Sequence, residues 1–217
     1  MNLTNNKSKG FTLVELAIVL VIVGLLISAF LVPLSAQIDQ NKNAQARRDL
    51  QEIKEALLGF VTVNFKLPCP DTNGDGIDDG CANTNANTST GGNLPWADLG
   101  LKSVDPWGQA YQYRVNNAFS TNFILTTQGS AAGIIEVCKS STCLVKEATN
   151  VPVLIFSLGK NGAVSPPTSL DEQENANGNG RFVNHEFSNG ANAFDDLLTW
   201  IPTNLIMNRM ITVGKLP

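Results

Sequence analysis

From Phe11 to Leu34 the chain reads FTLVELAIVLVIVGLLISAFLVPL, an apolar run whose one charge is Glu15. At 1.5 Å per residue, the stretch from Phe11 to Phe30 predicts a helix of about 30 Å, the thickness of a bilayer hydrocarbon core. The expectation is a transmembrane and assembly helix over 11–34. A conventional secretory signal would have an apolar core of about 7–15 residues and a small-x-small cleavage site. This run is longer, begins immediately after Gly10 and contains an acid, and Ala29 and Ser35 make imperfect cleavage signals. A plain signal anchor accounts for the hydrophobicity but not for Glu15.

A carboxylate near the start of an apolar helix calls for a partner. Cleavage between Gly10 and Phe11 would supply one, since the new α-amine on Phe11 is positive and sits one helical turn before Glu15. Within one subunit, that amine and the helix N-terminus both favour the carboxylate. Between subunits, the same charge pair would fix axial register.

The segment Gly10-Phe11-Thr12-Leu13-Val14-Glu15, preceded by the basic leader Lys7-Ser8-Lys9, closely resembles the class III signal of type IV pilins and type II secretion pseudopilins. The resemblance implies cleavage after Gly10 by a prepilin peptidase and methylation of the Phe11 amine. It also implies contact between Glu15 and the Phe11 amine of a neighbouring subunit. Charge counting alone does not orient the chain, because Lys7 and Lys9 face Lys42, Arg47 and Arg48 across the run. The resemblance implies a leader in the cytoplasm, a single pass through the bacterial inner membrane, a periplasmic head and later incorporation into a pilus or periplasmic pseudopilus. The implied partners are other pilin or pseudopilin subunits, the prepilin peptidase and an inner-membrane assembly platform.

Beyond the run the chain turns polar but keeps helix formers. Gly24, Ser28 and Pro33 interrupt it, and Pro33 lacks an N–H, which predicts a bend or local melting there. Ala46, Leu50, Ile53, Leu57 and Phe60 recur at steps of three or four, giving one apolar face. Asp39, Lys42, Arg47, Asp49, Glu52, Lys54 and Glu55 are assigned to the solvated remainder.

Leu67-Pro68-Cys69-Pro70 ends this helix, and an acidic loop begins. Asp71, Asn73, Asp75, Ile77 through its carbonyl, and Asp79 alternate around glycines as calcium ligands do in loops of EF type. Ala82 stands where that pattern needs a bidentate Glu, so the expected Ca²⁺ site is weak and structural. The loop resembles single calcium loops of dockerin or thrombospondin type 3 repeats; the bland reading is a solvated turn closed by Cys69 and Cys81. Cys138 and Cys143 bracket a short connection. In an oxidising compartment the four cysteines make two disulfides, with three connectivities open. Their spacings suit neither zinc knuckles nor a redox CxxC motif.

Asp105-Pro106-Trp107-Gly108 reads as a turn anchored by Trp107, and the segment through Tyr113 resembles the turn before the first head strand of major pseudopilins. Strands are expected over 110–115, 122–127, 133–138 and 151–158, a terminal strand or turn over 194–201, and a last helix over 205–211. Residues 166–184 read as an exposed loop.

Enzymatic chemistry finds no footing. Gly159-Lys160-Asn161-Gly162 lacks the spacing of a phosphate loop, His185-Glu186 does not continue into HExxH, and no GxSxG elbow occurs. With 15 basic and 19 acidic residues and no basic cluster, nucleic-acid binding is not expected.

The fold class expected is α+β, a long N-terminal α-helix with transmembrane and amphipathic halves packed on a small antiparallel β-sheet head. Its parts are a leader over 1–10, the apolar helix over 11–34, the amphipathic half over 35–66, a disulfide-closed loop region over 67–109 and the head over 110–217. The expected function is a structural subunit of a type IV pilus or related filament, a minor or specialised pilin in view of the polar insertions. A type II secretion pseudopilin and a membrane-anchored calcium-dependent adhesion module are the alternatives.

Overall fold

A computed structural model describes residues 10–81, 88–122, 134–164, 166–190 and 192–215, without the side chains of 28–34. The chain divides into two units, Met1–Lys42 and Asn43–Pro217. Helix α1, Leu13–Asn64, begins in the first and ends in the second.

In the first unit the described side chains from Phe11 to Ile27 are all exposed, and from Leu13 on they are apolar around the whole helix circumference apart from Glu15. Among the described residues no helix is long and apolar enough to cross a membrane. This overturns the expected transmembrane half over 11–34 and, with it, the single-pass inner-membrane placement. The helix continues through Pro33. The Pro33 side chain, where a bend was expected, and the basic leader residues Lys7 and Lys9 lie outside the described residues.

The second unit is built on the amphipathic end of α1. Ala46, Leu50, Ile53 and Leu57 are buried as their spacing predicts, and Leu58 and Val61 join them. Phe60 is half-buried at the rim, since Val61, a full turn beyond Leu57, takes the inward position. Asp49 does not belong to the solvated face. It is 9% exposed, and it accepts a hydrogen bond from the Tyr111 hydroxyl at 3.2 Å and pairs with Lys102 at 3.4 Å. Phe65 ends the helix in the left-handed region (φ 58°), donating its N–H to the Val61 carbonyl.

A four-stranded antiparallel sheet lies against this face. Its strands are β1 (Ser89–Asn93), β2 (Gln112–Asn116), β5 (Val153–Ser157) and β7 (Leu197–Ile201), in the order β1-β2-β5-β7. Tyr113, Val115, Val153, Ile155, Leu197 and Ile201 face α1, and the last helix, α3 (Thr203–Thr212), adds Ile206, Met207 and Met210 to the same core. The Trp107 turn packs on this core, with Asp105 Oδ1 accepting the Trp107 and Gln109 amides at 2.9 Å each.

The opposite face of the sheet is covered by a second layer. There β3 (Glu136–Cys138) pairs antiparallel with β4 (Lys146–Ala148) and parallel with β6 (Arg181–Val183), giving a mixed sheet. Leu154 and Phe156 of β5 join Ile135, Val137, Val151 and Phe182 in a second core. All five residues of β5 are buried, as expected of a strand covered on both faces and read from its near-continuous apolar run.

Residues 166–184, expected as a loop, contain α2 (Leu170–Ala176) and β6. Tertiary contact makes them regular: the Asn175 amide donates to the Val183 carbonyl at 3.2 Å and accepts the Val183 N–H at 2.7 Å, standing in for a strand partner. The strand expected over 122–127 lies almost wholly outside the described residues. The cysteines pair locally, Cys69 with Cys81 and Cys138 with Cys143.

Leu57 is fully buried between helix and sheet, so Leu57→Ala should destabilise the full chain by about 2–5 kcal/mol. Phe60→Ala, at the rim, should cost markedly less. Urea denaturation followed by circular dichroism checks the ordering, and equal losses would contradict the assigned face.

Candidate functional site

Three groups of residues bear on function. The first is the start of α1. Thr12 precedes the helix and Glu15 is its third residue. The Glu15 amide donates to Thr12 Oγ1 at 3.2 Å, while the Thr12 amide and hydroxyl both donate to Glu15 Oε2 at 2.9 Å. This reciprocal pattern is a capping box, which satisfies two N–H groups that a helix start otherwise leaves open. The signal Thr-x-x-Glu stands in the sequence, yet charge reasoning passed over it in favour of the Phe11 amine. With the Gly10–Phe11 peptide intact, the described partners of Glu15 are on Thr12. Those hydrogen bonds, the backbone one foremost, hold the Glu15 carboxyl below its ordinary value. Around the box, Phe11 is 82% and Leu13 87% exposed. A helix apolar on every side is made to be buried by other chains or another apolar phase.

The second group is the acidic loop closed by Cys69–Cys81. Its carboxylates are turned onto the loop's own amides. Asp71 Oδ1 accepts from Asn73 N at 3.1 Å and Gly74 N at 2.6 Å, and Oδ2 from Gly76 N at 2.9 Å. Asp79 Oδ2 takes the Thr72 amide and hydroxyl at 2.6 and 2.7 Å, and Oδ1 takes the Asn73 side-chain amide at 2.8 Å. Asp75 Oδ1 accepts from Ile77 N at 2.9 Å. These are turns in which a short acidic side chain replaces a backbone acceptor. Gly76, at φ 83°, lies against the Trp96 indole where a Cβ would collide. Asp71, Asn73, Asp75, Ile77 and Asp79 thus share one loop, and the carboxylate oxygens named above accept hydrogen bonds from within it. Ala82, read as the missing ligand position, lies outside the described residues.

The third group was not anticipated. Glu172 of α2 and Asp195 and Asp196, just before β7, bring one carboxylate oxygen each within 4.8 Å of one another. Asn161 Nδ2 donates to both Glu172 oxygens at 3.1 and 3.0 Å, the Asp195 amide donates to Glu172 at 3.0 Å, and Asn175 donates to Asp196 at 2.7 Å. Burial, with the Glu172 charge added, pushes Asp195 up to about 6. Burial also pushes Asp196 up to about 8, with the Glu172 and Asp195 charges adding and the Asn175 hydrogen bond opposing. Asp195 Oδ1 is buried without a hydrogen-bond partner. Such a crowded, partly protonated carboxylate set could hold a divalent ion, and oxygen donors favour a hard one. Members separated by more than twenty residues carry no local motif, so the sequence offered no signal for it.

His185 does not join an active centre. Its Nε2 lies 3.1 Å from Asp171 Oδ2, and its ring stacks on Phe194 with centroids 4.0 Å apart.

Comparison with known proteins places these features. A family model described as the prokaryotic N-terminal methylation motif matches residues 5–31. The chain is 32% identical over 112 residues to the type II secretion system core protein G of Pseudomonas aeruginosa, covering 49% of this chain and 73% of that protein. No solved structure matches. Similarity to a type II secretion system core protein accords with a chain that is not an enzyme. With the methylation motif at its start and a relative of this kind over most of that relative's length, the chain belongs to the superfamily of type IV pilins and type II secretion pseudopilins.

Proposed function

We propose that this chain is a structural subunit of a type II secretion pseudopilus, in preference to a pilus pilin. The observation that carries this reading is the similarity to a type II secretion core protein across 73% of that protein. The expectation of a minor or specialised pilin rested on head size and polar insertions, and one of those insertions, residues 166–184, supplies α2 and strand β6 of the second layer.

The proposed mechanism is assembly. A prepilin peptidase cuts after Gly10 and the new Phe11 amine is methylated. The exposed apolar turns of α1 are then buried against the same turns of neighbouring subunits. Cleavage leaves the capping box intact, since Thr12 and Glu15 both lie beyond the cut, and it places a cation beside a carboxylate already oriented by Thr12. One Glu15 oxygen serves the cap, and the other is directed to the amine of an adjacent subunit. The partners in this reading are other pseudopilins, the peptidase and the assembly platform of the secretion system.

For the divalent ion, we favour the set Glu172, Asp195 and Asp196 over the Asp71 loop, with Ca²⁺ in a structural role. The cluster holds mutually repelling carboxylates and a buried oxygen without a hydrogen-bond donor.

Mass analysis of the native protein should give Phe11 as first residue with one added methyl. A Met1 terminus in cells with an active peptidase would refute the processing step. Deleting the chain should block export of secretion cargo and leave surface pili intact; loss of pili with normal export would reverse the assignment. Glu15→Gln separates the two roles of the acid, since glutamine still closes a capping box but carries no charge. It should reduce assembly several-fold with the head melting as in wild type, and normal assembly would mean that Glu15 serves the cap alone.

The cluster gives a pH dependence of defined sign. Asp196 is raised from 3.8 to about 8 on folding, so between these values the folded chain binds more protons than the unfolded one. Stability therefore falls as pH rises through that window. Melting temperature should drop from pH 5 to pH 8, Ca²⁺ should restore it at pH 8 with little effect at pH 5, and Asp196→Asn should flatten both responses. A calcium response unchanged in that variant would move the ion elsewhere.

A further inference from the structure

On the sheet face opposite α1, the second layer leaves a cavity of about 300 Å³ between β2, β5 and the turn after α2. Phe156, Leu158 and Phe182 form apolar walls, and Gly91 and Gly92 present no side chains to it. Arg114 lies across the cavity. Its guanidinium donates to Ser89 Oγ at 3.1 Å and to the Gly178 carbonyl at 2.6 Å, and rests 5.8 Å from the centre of the Phe182 ring. A Cβ on Gly91 would come within 2.7 Å of the guanidinium, so glycine makes room for the cation. Among the described residues no carboxylate pairs with Arg114. A half-buried cation with only neutral acceptors favours an anion that can reach it.

An exposed apolar side chain flanked by carboxylates lies on the same chain. Ile77 is 49% exposed at the tip of the acidic loop, flanked by Asp75, Asp78 and Asp79. The loop is held by Cys69–Cys81, by its internal turns and by the bond from the Asp78 amide to Asp98 at 2.7 Å, so little conformational freedom is left to lose on docking. Ile77 is not among the residues lining the cavity of its own head.

We infer that the Asp75–Asp79 loop of a second copy of this chain docks in the Arg114 cavity, with Ile77 entering between the apolar walls and a neighbouring carboxylate meeting the guanidinium. The contact rests on the filament reading above. It joins two different patches, so a repeat of the contact through a rotation and rise that do not close propagates into an open helical array. Opposite charges at the two patches also select against contacts between like patches.

The test uses the full chain in cells carrying the assembly machinery. A photo-crosslinking amino acid at position 77, in mixed isotope-labelled and unlabelled copies, should link to peptides carrying Phe156 and Leu158 of a second copy. Ile77→Ser, at an exposed site, should melt as wild type yet lower filament yield roughly tenfold. Arg114→Glu should lower filament yield as well, with part of the loss recovered by Asp78→Lys. Filaments that form with crosslinks only elsewhere, crosslinks confined within one copy or to another protein, or an Ile77→Ser variant that assembles normally would overturn the docking and leave the pseudopilin reading standing. Failure of the wild-type chain to enter any filament would overturn that reading instead.

Discussion

The packing of the lower part of α1 against the four-stranded sheet is the contact on which the second unit depends. Ala46, Leu50, Ile53, Leu57, Leu58 and Val61 meet Tyr113, Val115, Val153 and Ile155 in one core. Burial of this apolar area is the main favourable term available to a head of this size. The polar pair inside it, Tyr111 and Asp49, is consistent with that rule because each group has a partner. Burial, followed by the Asp49 charge, drives the Tyr111 hydroxyl far above its ordinary value, so it stays a neutral donor across the physiological range.

How far the fold was legible depended on how local its signals were. The stripe through Leu57 and the strand at Val153–Ser157 could be read directly, because a helical period and a continuous apolar run persist whatever surrounds them. Strand β1, with the sequence STGGN, has almost no strand propensity and exists because β2 pairs with it. Strand β6 and helix α2 were hidden among Asn-Gly steps, and Asn175 binding both backbone groups of Val183 orders them. A polar pattern records composition, whereas these elements answer to contacts between distant residues.

The functional features divide in the same way. Gly10 to Glu15 form a local motif and identified the superfamily. The same segment led to a membrane span that the described residues do not support. Glu15 shows how one residue can satisfy two readings, since its cap is visible within a single chain while a charge partner requires a second. The carboxylates of the Asp71 loop were legible as oxygen ligands, but sequence does not reveal which donors reach them first. Glu172, Asp195 and Asp196 converge only after the sheet has formed.

Strand β5 lies between two cores, and its neighbours in sequence belong to different ones: Ile155 to the helix side, Leu154 and Phe156 to the side of the small sheet. A slip of one residue would exchange these memberships and spoil both cores together. The centre of the sheet therefore has one admissible alignment. Insertions and new loops in related chains are expected to collect at the outer strands β1 and β7, where change disturbs a single neighbour, and the head can diversify its surface without renegotiating its middle.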